Sequence, residues 1–473
     1  MGREISDQER VDMAGFKTRL REETRCLMNW FKQERFERPI RPSIGLELEA
    51  WLMDEDGLPA PRNLEFLEKL DDPHAVPELA AYNFEFNADP LKLENRVFSK
   101  LEKDLSGLWS KAEDCAEEMG MKALMTGIPA TLREPMLSLD DATPSERYRL
   151  LNERLFELRG GAPLKIDIAG REELDLVQTH LMMEAACTSL QVHLMLTQDN
   201  AARRYNAAQI ASAPLVAASA NSPFLYGKRL WEETRIAAFE SAVNAPGPRQ
   251  GDGRRAARVT FGRAHLRDSL MELFIDNLDC YEPFLPMVSD TPEEKLEHLR
   301  LQNGTVWRWN RPIVQPGKTP HLRVENRVVP AGPTIIDMVA NTAFCIGLTL
   351  HLEMLPDLEE RLPFELARRN FYACAKEGLA AECVWLDGRV VNVQALIRDE
   401  LAEAAREALI AAGVDAGEAG HYLGIVKQRC RNGQNGAAWQ RAHANCHGND
   451  HQKLVLDYLA NQKDGAPVHR WRI

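Results

Sequence analysis

Apolar and polar residues alternate along four short stretches of this chain, and each alternation predicts a strand with one polar face. In Ser43-Ile44-Gly45-Leu46-Glu47-Leu48-Glu49-Ala50-Trp51, two glutamates two apart stand among apolar residues. Residues i and i+2 of an extended strand project from the same side, so the Glu47 and Glu49 carboxylates share a surface. From Tyr82 onward, Asn83, Glu85 and Asn87 alternate with Phe84 and Phe86, and Glu78 lies seven residues before Glu85. Ser189, Gln191 and His193 line up opposite Leu190, Val192 and Leu194. In the stretch from Pro320 to Pro330, Arg323, Glu325 and Arg327 fall on one face.

Between these strands the spacing of apolar residues turns helical. Residues 1–38 read as a helix with Met13, Phe16, Leu20, Leu27, Trp30 and Phe31 on one side, stopped by Arg38-Pro39-Ile40-Arg41-Pro42. A turn at Asp54-Glu55-Asp56-Gly57 reverses the chain, a helix spans 93–119, a buried strand spans 121–127, and a further helix spans 147–159. Another strand starts at Ile166. Residues 198–243 read as helical, broken at Ala220-Asn221-Ser222-Pro223. Residues 244–255 (NAPGPRQGDGRR) form the most loop-like stretch, either a mobile cover over a site or a tolerated insertion. Asn303 to Arg311 supplies aromatic surface and further arginines, and Ala-rich helices follow at 338–354, 364–382, 391–412 and 417–430. With 473 residues the chain exceeds the roughly 250–300 at which one core stops growing. The pattern divides it into an N-terminal helix (1–38), an antiparallel-sheet domain (39–336) and a helical C-terminal region packed on it (337–473). The expected class is α+β.

The acidic strands set the chemical question. Two carboxylates side by side repel, and one must keep its proton unless cations lie beside them. A hard divalent metal such as Mg²⁺ or Mn²⁺ takes oxygen ligands and brings the compensating charge. A solvated strand face carries the same Glu-x-Glu pattern, and an edge strand would account for Glu85. A hydrogen-bonded structural histidine would account for His193, although neutral imidazole also completes carboxylate metal sites. Arg323, Glu325 and Arg327 fit a salt-bridge ladder or a metal ligand flanked by cations for phosphate oxygens. Arg235 fits an exposed helical arginine or a clamp on a substrate carboxylate.

Composition narrows the field. A net charge of −13 excludes a general nucleic-acid binder, which needs a basic face. No run of eighteen apolar residues and no basic-then-apolar leader is present, so no membrane span is expected and a cytoplasmic protein is. Nine cysteines form no C-x-x-C pair and read as reduced, mostly buried thiols. His443, Cys446, His447 and His451 near the end raise a zinc reading, against which stands the lack of two well-separated ligand pairs. Walker A and G-x-G-x-x-G motifs are absent.

Taken together, GLELE at 45–49, TSLQVH at 188–193, ANSP at 220–223 with ETR at 233–235, NGTVWRWNRP at 303–312 and HLRVENR at 321–327 resemble the glutamate–cysteine ligase family. The likeness is to its second bacterial group of carboxylate-amine ligases, over roughly residues 40–440. The resemblance implies a strongly curved antiparallel sheet of glutamine synthetase-like type, helices on its outer face, and a concave face that binds ATP and two or three Mg²⁺ (or Mn²⁺) ions. It implies Glu47, Glu49, Glu78, Glu85, His193 and Glu325 as metal ligands, with Glu325 and Arg327 catalytic. Arg323 and Arg327 would meet the nucleotide phosphates, and Asn87, Gln191 and Arg235 would hold the substrate amino acid. The implied activity is ATP-dependent formation of an amide from glutamate and an amine, with cysteine as the leading acceptor. A ligase for another amine, carboxylate or peptide, or a non-catalytic nucleotide-binding relative, are the alternatives. The implied partners are small molecules, and a homo-oligomer is compatible with all of these features.

Overall fold

The computed structural model describes residues 10–245 and 257–473. All but the first two residues of the loop-like stretch 244–255 lie outside the described residues, as do residues 1–9 of the expected N-terminal helix. The helix that is described, α1 (Met13–Lys32), is shorter than its apolar spacing suggested. Asp12 caps its start by accepting from the Gly15 N–H at 3.0 Å. Its end is set just past Lys32, where Glu34 takes a left-handed φ of 52°, well before the proline pair.

An eight-stranded antiparallel sheet organises everything else. Its strands are β1 (Ser43–Met53), β2 (Ala75–Pro77), β3 (Asn83–Asn87), β4 (Leu91–Lys92), β5 (Lys122–Leu124), β6 (Ser189–Leu196), β7 (Asn310–Gln315) and β8 (His321–Pro330). The spatial order is β7-β8-β6-β1-β3-β2, with β4 and β5 both pairing along β1. All four polar stretches are strands of this sheet, and they are neighbours. Sequence-distant segments thus bring their polar faces to one concave surface, the inner side of a half-barrel.

The opposite face explains the apolar half of each alternation. Leu46, Leu48, Leu190, Val192, Leu194, Leu322 and Val324 are buried. Helices α2 (Ala201–Ser219) and α3 (Ile335–Glu353) pack on that side, against β8 and β6 respectively and against each other. Among the described residues α3 alone is long and apolar enough to cross a membrane, but its apolar stretch is 83% buried inside the protein. Two C-terminal helices, Ala402–Ala411 and Ala416–Asn432, enclose it further. One cluster of buried apolar side chains runs from Phe16 to Trp471, so the C-terminal helices share the core of the sheet.

Three local readings change. The expected break at residues 220–223 is present but holds more than a helix boundary: α2 ends at Ser219, and a small hairpin pairs Phe224–Leu225 with Lys228–Arg229 before helix Thr234–Ala242 begins. Tyr226 and Gly227 turn that hairpin with φ values of 51° and 78°, the two left-handed positions of a tight two-residue turn. Leu164–Ala169 pairs with Glu173–Gln178 as a second hairpin, and Glu382–Val384 pairs with Val390–Asn392 within the otherwise helical C-terminal part. Trp307 and Trp309 are 4% and 1% exposed, so the 303–311 stretch is core rather than aromatic surface.

Candidate active site

Register puts the polar residues in rows. Glu49 lies opposite Glu85 and Glu47 opposite Asn87 across β1 and β3. On the other side of β1, Glu47 faces Gln191 and Gly45 faces His193. His193 then faces Glu325, and Glu325 faces Arg311 on β7. The six acidic and histidine residues divide into two triads whose ligand atoms lie within 4.8 Å of one another: Glu47, His193 and Glu325, and Glu49, Glu78 and Glu85. Glu78 is not on a strand. It follows the end of β2, where the Thr143 hydroxyl donates to its carbonyl at 2.5 Å, and its buried side chain turns in beside Glu49 and Glu85.

The two triads differ in charge state. Burial opposes the Glu325 charge, yet Arg311, Arg327 and His193 hold it well below the usual carboxylate range. Arg311 binds it with both Nε (2.7 Å) and Nη2 (2.8 Å), and Arg327 Nη1 adds a third contact at 3.0 Å. Burial likewise opposes the Glu47 charge, but neighbouring His193 brings Glu47 down to about 2. In the second triad burial wins. It pushes Glu49 well above the ordinary range, with Glu78 adding to the rise, and lifts Glu85 to about 7, with Glu47 and Glu78 contributing. Neutral donors serve this corner: Ser189 N–H (2.7 Å) and Gln191 Nε2 (2.8 Å) on Glu49, and Asn87 Nδ2 (3.1 Å) on Glu85.

Both donor sets suit a hard divalent cation. The second offers three buried carboxylates whose oxygens converge, the ligand type such a cation takes. The first offers two carboxylates and an imidazole whose Nε2 is buried without an aligned hydrogen bond, 3.1 Å from Glu47 Oε1 and 3.7 Å from Glu325 Oε1. Arg323 Nε donates to His193 Nδ1 at 3.0 Å, which places the ring hydrogen on Nε2. Ligation through Nε2 therefore requires the other tautomer and a turn of Arg323 away from the ring.

Of the remaining candidates, Gln191 and Asn87 lie among these carboxylates, and Arg327 Nη1 also donates to Gln191 Oε1. Arg235 does not fit the role of a substrate clamp. It is 1% exposed, and its guanidinium donates to Glu233 Oε1 and to the carbonyls of Arg327 and Val328 behind the site. Two site residues escape a pattern-based reading. Arg311 is legible only through strand pairing, as the cross-strand partner of Glu325. Glu184, in a short 3₁₀ turn before β6, is lifted by burial and by Glu78 to about 8, and no alternation marks it.

The tail groups His443, His447 and Asp457, without Cys446 or His451. His443 Nε2 and Lys453 Nζ already meet Asp457 Oδ2 at 2.7 and 2.8 Å. A lysine seated on the carboxylate supplies the positive charge that a zinc ion would bring.

A family match and a structural likeness identify the protein as an ATP-dependent carboxylate-amine ligase. The sequence matches glutamate-cysteine ligase family 2 over residues 43–457, and the chain belongs to that family. Among solved structures it is similar to a glutamate–cysteine ligase from Francisella tularensis in complex with AMP. That match has 12% identity and a TM-score of 0.51, and covers 92% of this chain and 90% of that one. It shares the glutamine synthetase-like fold. A bifunctional glutathione synthetase from Pasteurella multocida aligns at 13% identity and a TM-score of 0.48, covering 93% of this chain and 55% of that one. Comparison with curated protein sequences returns no match.

Proposed function

We propose that the protein uses ATP to activate the γ-carboxylate of glutamate as an acyl phosphate and joins it to cysteine, giving γ-glutamylcysteine. The observation that carries this reading is the pairing of two acidic triads with Arg311, Arg323 and Arg327 on one concave face. Family membership and an AMP-bound structural relative support it.

A carboxylate is a poor electrophile because its leaving group would be oxide. Transfer of the γ-phosphoryl group of ATP to a carboxylate oxygen releases ADP and converts that oxygen into a phosphate leaving group. The amine then attacks the carbonyl carbon, and inorganic phosphate departs with the amide formed. Mg²⁺ held by Glu47, His193 and Glu325 and by Glu49, Glu78 and Glu85 would neutralise charge on the phosphate oxygens. The chain's own contribution is alignment. Arg327, fixed by Glu325 and Gln191, presents a guanidinium that is kept cationic by the carboxylates around it, suited to charge developing in phosphoryl transfer. Arg323, once turned from His193, is a second phosphate contact. Asn87 and Gln191, at the boundary between the triads, can hold the amino acid. All nine cysteines are free thiols, which suits the reducing cytoplasm.

The test is product identity. Purified protein incubated with ATP, Mg²⁺ and glutamate, with cysteine or a panel of other amines added singly, is expected to yield γ-glutamylcysteine by mass spectrometry. Exclusive formation of a different amide would keep the reaction class and overturn the acceptor.

A further inference from the structure

Strand β8 breaks its register where the chemistry is densest. Asn326 lies opposite Val192 and Val329 opposite Leu190, so Arg327 and Val328 together face the single residue Gln191. A bulge of this kind bends the strand and re-aims a side chain. Here the side chain is Arg327, whose Nη1 reaches both Gln191 Oε1 and Glu325 Oε2.

The two carbonyls of the bulge are both met by one residue. Arg235 Nη2 donates to Val328 O at 2.6 Å and Nη1 to Arg327 O at 3.2 Å. The rest of its side chain is fixed as well. Its Nε donates to Glu233 Oε1 at 3.0 Å, while Glu233 Oε2 accepts from the Asn221 N–H at 2.8 Å. The guanidinium lies over the Trp309 ring at 5.4 Å, and the Trp309 carbonyl accepts from the Arg327 N–H at 2.9 Å. The backbone of Arg235 is tied to the same unit, its N–H donating to Ser222 Oγ at 3.2 Å. The Asn221-Ser222 and Glu233–Arg235 phrases are therefore one buttress behind the strand.

We propose that Arg235 is a positioning residue: its planar fork spans two successive carbonyls of the β8 bulge and so sets the direction in which Arg327 enters the active site. A lysine at 235 offers a single ammonium, which cannot reproduce a fork across two acceptors with a third nitrogen on Glu233. The inference rests on the ligase reading for the importance of Arg327 to turnover, but the placement of Arg327 is a structural claim of its own.

The experiment combines a crystal structure of Arg235→Lys with steady-state kinetics of Arg235→Lys, Arg327→Ala and the double variant. In the Arg235→Lys structure the Arg327 guanidinium is expected to leave Gln191 and Glu325. Its kcat is expected to fall about 100-fold, the cost of misplacing a catalytic group by about 1 Å, with KM for glutamate within about twofold. The double variant is expected to be no slower than Arg327→Ala, because the two residues act as a unit. An unchanged Arg327 in the variant structure, or losses that multiply in the double variant, would overturn the proposal. Wild-type protein without turnover on any carboxylate and amine would count against the ligase reading, and the Arg235→Lys structure would still decide the placement. If Arg235→Lys does not fold, Glu233→Gln, which removes the charge balancing Arg235, carries the same readouts with a smaller shift in the same direction.

Discussion

Arg311 and Glu325 stand opposite each other on adjacent strands, joined by two hydrogen bonds of 2.7 and 2.8 Å between guanidinium and carboxylate. With Arg327 also on Glu325, two guanidiniums serve one buried carboxylate. That end of the site has cationic capacity left for an incoming anion. The Glu49, Glu78 and Glu85 end gathers three buried carboxylates. The concave face is thus polarised along the sheet, as the proposed reaction asks of a surface that would hold a phosphate chain and its metals.

Glu325→Gln and Glu47→Gln separate the structural and chemical parts of this arrangement. Both substitutions take a proposed ligand from the first triad, and both are expected to lower turnover by about 100- to 1000-fold. Only Glu325→Gln strands two buried guanidiniums, so it is expected to cost about 3 kcal/mol or more of stability in urea unfolding. Glu47 has a side chain that is 21% exposed, and its replacement should cost about 1 kcal/mol. Full activity in both variants would remove the metal assignment, and equal stability losses would contradict the described charge balance.

The pH dependence of the metal-free protein follows from the second triad and Glu184. Glu85 is raised to about 7 and Glu184 to about 8, both chiefly by burial. Each binds a proton in the folded chain at pH values where the unfolded chain has released it. Their contribution to stability is therefore complete below about pH 4.5 and is lost as pH rises through 7 and 8, at about 1.4 kcal/mol per pH unit per group. Thermal unfolding of metal-free protein should show this decline, Glu85→Gln should flatten it, and Mg²⁺ should raise the unfolding temperature more at pH 8 than at pH 6. A metal-free stability that rises between pH 5 and 8 would contradict the sign.

Gly436 begins helix Gly436–Cys446 against the Asn221 side chain, and a Cβ there would overlap Asn221 Oδ1. Asn221 cannot withdraw freely, because its Nδ2 donates to Ala331 O and its Oδ1 accepts from Gln440 Nε2, at 2.8 and 2.9 Å. Gly436→Ala should therefore cost about 1–3 kcal/mol. It should also lower turnover, since Asn221 supports Glu233 and through it Arg235. Unchanged unfolding in denaturant would show that this network yields easily.

The strand faces were legible because a period of two is local: Glu47 with Glu49, Gln191 with His193, and Glu325 with Arg327 can each be paired by counting. Their assembly was not, because register between distant strands decides it. Counting along the chain does not show that the six candidate ligands divide into Glu47, His193 and Glu325 against Glu49, Glu78 and Glu85, or that Arg311 meets Glu325. Arg235 shows the limit most clearly. Its motif pointed to an important arginine, but the bulge whose carbonyls it meets exists only once β8 pairs with β6. Glu184 sits in a 3₁₀ turn with no periodic signal. The left-handed turn at Tyr226 and Gly227 was hidden because tyrosine is an uncommon residue there.

The most direct measurement is phosphate release from ATP by the purified protein with Mg²⁺, comparing glutamate alone, cysteine alone and the two together. Release is expected to require Mg²⁺ and glutamate, to reach its full rate only with cysteine, and to match amide formed one for one. Release at the same rate without any amino acid, or none with glutamate and any amine in the presence of Mg²⁺, would contradict it.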